Sequence, residues 1–134
     1  MNKYLLLMII SFTLLQVNAK KYPASLFDIR SDGTTLNTNS IQKAIDYIHE
    51  KGGGTLVFSV GRYLTGTIYL KSNVTLNLEG GAVLLGSTNP FDYIKDPYIG
   101  RTSLLFAIKQ NNIGVTGSGM IDGQGFMTAN NLVS

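Results

Sequence analysis

The 134-residue chain has no cysteine and no tryptophan, only three prolines, one histidine and eight acidic residues. Without cysteine there is no disulfide scaffold, no thiolate zinc site, no thiol nucleophile and no lipid-bearing cysteine. The lack of tryptophan weakens any reading as a dedicated sugar-binding module. Charged residues make up 14% and the formal net charge is +3, too mild for the basic stripes that nucleic-acid binding requires. What is plentiful is apolar surface, at 44%, which excludes disorder, and glycine, with 15 residues. The length suits one domain.

Residues 1–19 read as a secretory signal peptide. Lys3 supplies the positive start, residues 4–15 form an apolar run broken only by Ser11 and Thr13, and Val17-Asn18-Ala19 offers a cleavage site. The run is short for a membrane span of about 20 residues. Cleavage after Ala19 leaves residues 20–134 as the mature domain and lowers the formal charge from +3 to +2 by removing Lys3. The expectation is a secreted or periplasmic protein with no membrane attachment after cleavage, no nucleic-acid partner and no cofactor. The sequence carries no signal for an oligomeric state.

In the mature part, Ser25–Arg30 alternates weakly and predicts a leading strand, followed by a turn at Ser31-Asp32-Gly33-Thr34. One helix follows. Ile41, Ala44, Ile45 and Ile48 fall on a single stripe. Asn37 or Asn39 can cap its start, Asn39 with Gln42 resembles a capping box, and Lys51-Gly52 closes it. Beyond Gly54 the chain predicts short strands at 55–58, 67–70, 75–78, 82–85, 104–109, 113–116 and 119–122, joined by turns too tight for crossover helices. Leu56 and Phe58 recur as Leu76 and Leu78 at a spacing of 20, and Thr67–Ser72 resembles Ala82–Ser87 at a spacing of 15. A period near 20 predicts a solenoid whose coils stack in parallel, with the helix covering its first coil. An antiparallel sandwich is the competing architecture.

Candidate chemistry is sparse. Gly52-Gly53-Gly54 follows a helix and is not trailed by a Lys-Ser/Thr pair, so it reads as a helix stop rather than a phosphate loop. Gly117-x-Gly119 and Gly123-x-Gly125 lack the third glycine of a dinucleotide fingerprint. His49 sits on the polar side of the helix near its C-terminus and reads as structural. Glycoside hydrolysis usually needs two carboxylates flanking one bond. Asp32, Asp92, Asp96 and Asp122 are scattered, with no adjacent acidic pair, and Asp32, Asp92 and Asp122 read as turn formers. Nothing resembles a calcium loop. Tyr63, Tyr69, Tyr93 and Tyr98 can either stack on sugars or pack over coil edges. Asn73-Val74-Thr75 fits a glycosylation pattern, though an asparagine before a strand is an ordinary turn residue. No residue is assigned as catalytic, cofactor-binding or metal-binding.

The segment 27–58, with Asp32-Gly33 and Gly52-Gly53-Gly54-Thr55-Leu56-Val57-Phe58, resembles the start of pectinase-type β-helix proteins. The run Gly61-Arg62-Tyr63-Leu64-Thr65-Gly66-Thr67-Ile68-Tyr69-Leu70-Lys71-Ser72-Asn73 is more specific, and with 78–87 and 117–125 it resembles the polygalacturonase family of glycoside hydrolases. The resemblance implies an all-β solenoid, a right-handed parallel β-helix with an N-terminal capping α-helix. Residues 20–134 would be the N-terminal part of a pectin-lyase-like β-helix domain. It implies pectic polygalacturonate as the partner and inverting hydrolysis, with two carboxylates about 6.5–9.5 Å apart. A pectate lyase, using calcium and β-elimination, fits the 64–73 run less well. The family's catalytic segments, Asn-Thr-Asp, an Asp-Asp pair, Gly-His-Gly and Arg-Ile-Lys, are not in this sequence. The expectation is therefore an N-terminal fragment, inactive alone; the alternative is a non-catalytic β-helix module that binds carbohydrate or serves as a scaffold.

Overall fold

A computed structural model describes residues 20–97, 100 and 102–125. The expected signal peptide lies outside the described residues, as does Tyr98.

The described chain coils through three faces. On the first lie β1 (Lys21–Pro23), β2 (Gly54–Phe58), β5 (Val74–Leu78) and β8 (Gly114–Thr116). On the second lie β3 (Gly61–Thr65), β6 (Ala82–Gly86) and β9 (Met120–Asp122), and on the third β4 (Ile68–Tyr69) and β7 (Leu105–Phe106). Every strand pair is parallel, which makes the architecture a parallel β-helix and rules out the sandwich.

The first coil step is the spacing of 20 visible in the sequence: Leu56 pairs with Leu76 and Phe58 with Leu78. These residues point inward and are buried, while Thr55, Val57, Thr75 and Asn77 alternate outward. The spacing of 15 does not correspond to a pairing. Ala82 sits beside Gly61, and Ile68 sits beside Leu105. Two similar apolar strings occupy different faces, the first on the third face of one coil and the second on the second face of the next; a long loop is then inserted between β6 and β7. That insertion stretches the second coil step, so that Thr75 pairs with Gly114. Strand β3 falls outside the strands expected from sequence. Its inward positions are Tyr63 and Thr65, and a buried threonine breaks the apolar alternation.

The helix α1 (Thr38–Glu50) closes the N-terminal end. Ile41, Ala44, Ile45 and Ile48 are all fully buried against the first coil, joining Leu56, Phe58 and Ile68 in one core. Two expectations about its surroundings are corrected. The leading stretch is not a strand. The strand is β1, one step earlier, and Ala24–Phe27 forms a 3-10 turn ending at Asp28 in a left-handed conformation, φ 57°. Tyr22, Ala24 and Ile29 are the buried residues there, and the turn carries the chain across the end of the coil. The capping box does not form either. Asn37 precedes the helix, but its side chain takes the backbone N–H of Arg30 (2.8 Å) and gives its amide to the Arg30 carbonyl (2.8 Å). Asn39 lies inside the helix, and Gln42 turns to the coil instead.

The cap ends all three faces. On the first, β1 pairs with β2. On the second, the Gly33 and Asn37 amides donate to the Arg62 and Leu64 carbonyls, both at 2.8 Å. On the third, Gln42 imitates a strand: it accepts from the Tyr69 amide at 2.8 Å and donates to the Tyr69 carbonyl at 3.0 Å. Thr38 Oγ1 accepts from the Gly66 amide at 2.7 Å beside it. Edge groups that would otherwise be open to another chain are thus occupied. The helix stops as expected, with Gly52 and Gly53 at φ 98° and 107°. Gly53 has a second constraint. A Cβ there would lie 2.6 Å from the Asn73 carbonyl oxygen, because Gly53, Asn73 and Asn112 stack at the entry to the first face. Asn73 and Asn112 take φ 67° and 55°, and the Asn112 amide donates to the Asn73 side-chain oxygen at 3.1 Å.

Candidate functional site

The inserted loop leaves the coil at Gly86, where the second face turns toward the third. Pro90–Asp92 forms a 3-10 turn, with Asn89 Oδ1 accepting from the Phe91 amide at 3.0 Å. The Ser87 hydroxyl donates to Asp92 Oδ2, and the Tyr93 hydroxyl donates to the Ser87 carbonyl at 2.7 Å. The Ile94 amide donates to Thr67 Oγ1 at 2.9 Å. From the next coil, Gln124 Nε2 donates to the Gly86 carbonyl at 2.6 Å, and its own amide donates to Asp122 Oδ1 at 3.0 Å. The corner leaves no room for side chains at two points. A Cβ on Gly86 would lie 2.7 Å from the Tyr93 hydroxyl, and one on Gly66 would lie 1.9 Å from the Asp92 carbonyl oxygen.

This corner gathers three of the carboxylate and tyrosine candidates: Asp92, Tyr93 and Asp122. Each spends its polar atoms on shaping a turn. Asp92 and Asp122 are turn formers as expected, held by Ser87 and by the Gln124 amide. Asp96 is buried, 2% exposed, in the same loop, with its carbonyl accepting from the Gly100 amide at 2.9 Å. Asp32 organises the turn expected at 31–34. Its carboxylate accepts from the Thr34 amide (3.0 Å), the Thr35 amide (2.8 Å) and the Thr35 hydroxyl (2.6 Å). The Thr35 hydroxyl, and then the Thr35 and Thr34 amides, hold its carboxyl well below the ordinary carboxylate range.

The remaining candidates are dispersed. His49 lies in the last turn of α1, its Nδ1 2.8 Å from the Ser72 carbonyl oxygen, a structural tie. Tyr63 is buried edge-on to Phe58 and donates to the Ser59 carbonyl at 2.8 Å; burial first, then the charge of Glu79, raises its pKa. Tyr69 stacks on Phe106 with centroids 5.6 Å apart, packing over a coil edge. A separate cleft of about 200 Å³ opens between the 3-10 turn and the second face, lined by Ile29, Ser31, Ser59 and Tyr63 among others, with no carboxylate in its wall. No group of three or more metal-ligating side chains occurs among the described residues. Sequence reasoning missed Ser87, Gln124 and Thr67, which build the corner. Their only signal was a repeated Gly-flanked position at each turn.

The fold is that of the pectinase-type parallel β-helices, and its first coils and cap have close counterparts. No family model matches the sequence. The chain is 41% identical over 126 residues to an exo-poly-alpha-D-galacturonosidase of Dickeya chrysanthemi, covering 82% of this chain and 20% of that protein. It is 35% identical over 127 residues to a probable polygalacturonase of Vitis vinifera, covering 81% and 26%. In structure it resembles a candidate glycosyl hydrolase of Parabacteroides merdae, with TM-score 0.80, 48% identity and coverage of 85% of this chain and 49% of that one. It also resembles the family 28 exopolygalacturonase of Yersinia enterocolitica, with TM-score 0.68, 41% identity and coverage of 80% and 21%. The resemblance to polygalacturonases seen in the motifs therefore holds over most of the chain. The chain spans about a fifth to a quarter of the length of the curated relatives it matches.

Proposed function

We propose that residues 20–134 form the N-terminal cap and first coils of a secreted glycoside hydrolase that cleaves pectic polygalacturonate, and that residues 1–19 are its signal peptide. The observation that carries this reading is the 41% identity to a poly-galacturonosidase over 82% of the chain, on a matching parallel β-helix. A second observation supports it. Val115 and Ile121 continue the inward columns of Leu76 and Leu84, yet they are 38% and 43% exposed where Leu76 and Leu84 are 0%. Their columns are shaped to receive another coil.

Hydrolysis by the inverting route needs a carboxylic acid to protonate the leaving oxygen and a carboxylate to activate water. Asp32, Asp92 and Asp122 each hold a turn, and the family's catalytic segments are not in this sequence. The chemistry therefore falls to coils beyond these. The coding sequence downstream of codon 134 is expected to run on in frame and encode the missing aspartate and histidine motifs; an immediate stop instead favours the non-catalytic module. The test is a reducing-sugar assay on polygalacturonate. The complete product hydrolyses it, whereas residues 20–134 alone give no turnover between about pH 4 and 8. Turnover by residues 20–134 that disappears in Asp122→Asn overturns the reading. Mass spectrometry of the exported protein is expected to begin at Lys20; a start at Met1 overturns the signal assignment.

A further inference from the structure

The outer ridge of α1 carries Lys43 and Tyr47, and Lys51 at its C-terminal cap continues the four-residue interval. Lys43 and Lys51 are exposed, and Tyr47 is 43% exposed. Tyr47 is braced from behind. Its ring centroid lies 6.0 Å from Tyr22, edge-on at 86°, and 5.8 Å from Phe27. The Lys51 ammonium sits 5.5 Å from the Tyr47 centroid, and the Lys20 ammonium sits 5.1 Å from that of Tyr22.

Three acids of the cap accept hydrogen bonds away from the ridge lysines. Asp28 takes Arg30, Asp32 takes Thr34 and Thr35, and Asp46 takes Gln42. Glu50 is the one further acid of α1. Among the described residues neither Lys43 nor Lys51 pairs with a carboxylate, and Lys51 is held over the Tyr47 ring. A rigid exposed ring between two cations matches a ligand whose rings offer an apolar C–H face and whose edges carry carboxylates, repeated along a chain. A nucleic acid fits less well. The ridge has one exposed ring rather than a row of stacking platforms, and no basic groove to follow a phosphate backbone.

We infer that the Lys43–Tyr47–Lys51 ridge is a docking surface for an anionic polysaccharide of uronic acids; that the polymer is pectic rests on the function proposed above. The ridge tethers the protein to its polymer through contacts that involve no bond cleavage.

The test is titration of the full chain with galacturonate oligomers, neutral galactose oligomers and single-stranded DNA, followed by calorimetry and by NMR of the Tyr47 ring and lysine side chains. Because this chain makes no cleavage of its own, binding is read without turnover, and the hydrolysis assay on the complete product is scored separately. Galacturonate oligomers are expected to bind, more weakly as salt rises, and to shift the Tyr47 and Lys51 resonances. The Lys43→Gln/Lys51→Gln pair is expected to bind about tenfold more weakly with an unchanged melting temperature, as for loss of two exposed ion pairs within their ordinary range. Tyr47→Phe is expected to bind as the parent does. The inference is overturned by any of four results: no binding, equal binding of the lysine double variant, shifts confined to other residues, or equal affinity for the neutral oligomer or the DNA.

Discussion

Gly66 lies under the backbone of the inserted loop, with the Asp92 carbonyl where its Cβ would be. Gly66→Ala must push the loop away from the corner, and overpacking against backbone costs about 1–3 kcal/mol. Thermal unfolding is expected to show that loss. Gly80→Ala serves as the control, since its Cβ would meet only the Ser118 hydroxyl at 3.4 Å. Asp32 supplies a different residue-scale prediction. Its carboxyl is depressed from an ordinary 3.8 by hydrogen bonds that exist only in the folded turn. A depressed carboxylate stabilises the fold fully above its unfolded value, and that contribution is lost as pH falls through the lower, folded value. The stability gap between the parent and Asp32→Asn is therefore expected to stay constant above about pH 5 and to shrink in stronger acid. A gap that widens on acidification contradicts the turn's role. These local roles were legible where a side chain bonds its own turn, as at Asp32 and Asp122. They were hidden where the partner comes from another coil, as with Gln124 reaching back to Gly86.

For the elements, the helix is the clearest case. Its buried stripe could be read from Ile41, Ala44, Ile45 and Ile48, because a period of 3.6 needs no knowledge of the partner. Its ends could not. Asn37 and Gln42 have the chemistry of local caps, but the Arg30 backbone takes the Asn37 side chain and the open edge of the third face takes Gln42. The first strand was misplaced for a related reason: three residues of β1 carry too little alternation to outvote Ser25–Arg30, and its partner β2 lies far along the sequence. Ile45 sits in the middle of the stripe with 0% exposure. Ile45→Asp puts an unpaired charge between helix and coil and is expected to cost about 4 kcal/mol or more, a large share of a domain's stability. An unchanged melting temperature would falsify the cap's place in the core.

Across the whole molecule, the repeat at 20 was readable because inward leucines recur in register, whereas the repeat at 15 matched strings that never meet. Sequence similarity finds coils only while the turns keep their length, and the insertion after Gly86 ends that. The last described coil leaves Val115, Met120 and Ile121 at 38%, 59% and 43% exposure, beside strand edges with no onward pairing among the described residues. Produced alone, residues 20–134 are expected to self-associate, with light scattering reporting a mass that rises with concentration. A monomer at every concentration contradicts that expectation.

The way the cap ends each face also sets a direction in time. β1, Gly33, Asn37 and Gln42 come before the strands they cover, and each strand pairs with one already synthesised. Every segment therefore has its pairing template upstream in the sequence, an order that suits a chain emerging N-terminus first. The molecule is assembled like a spiral staircase laid from the bottom tread, with the foundation poured first.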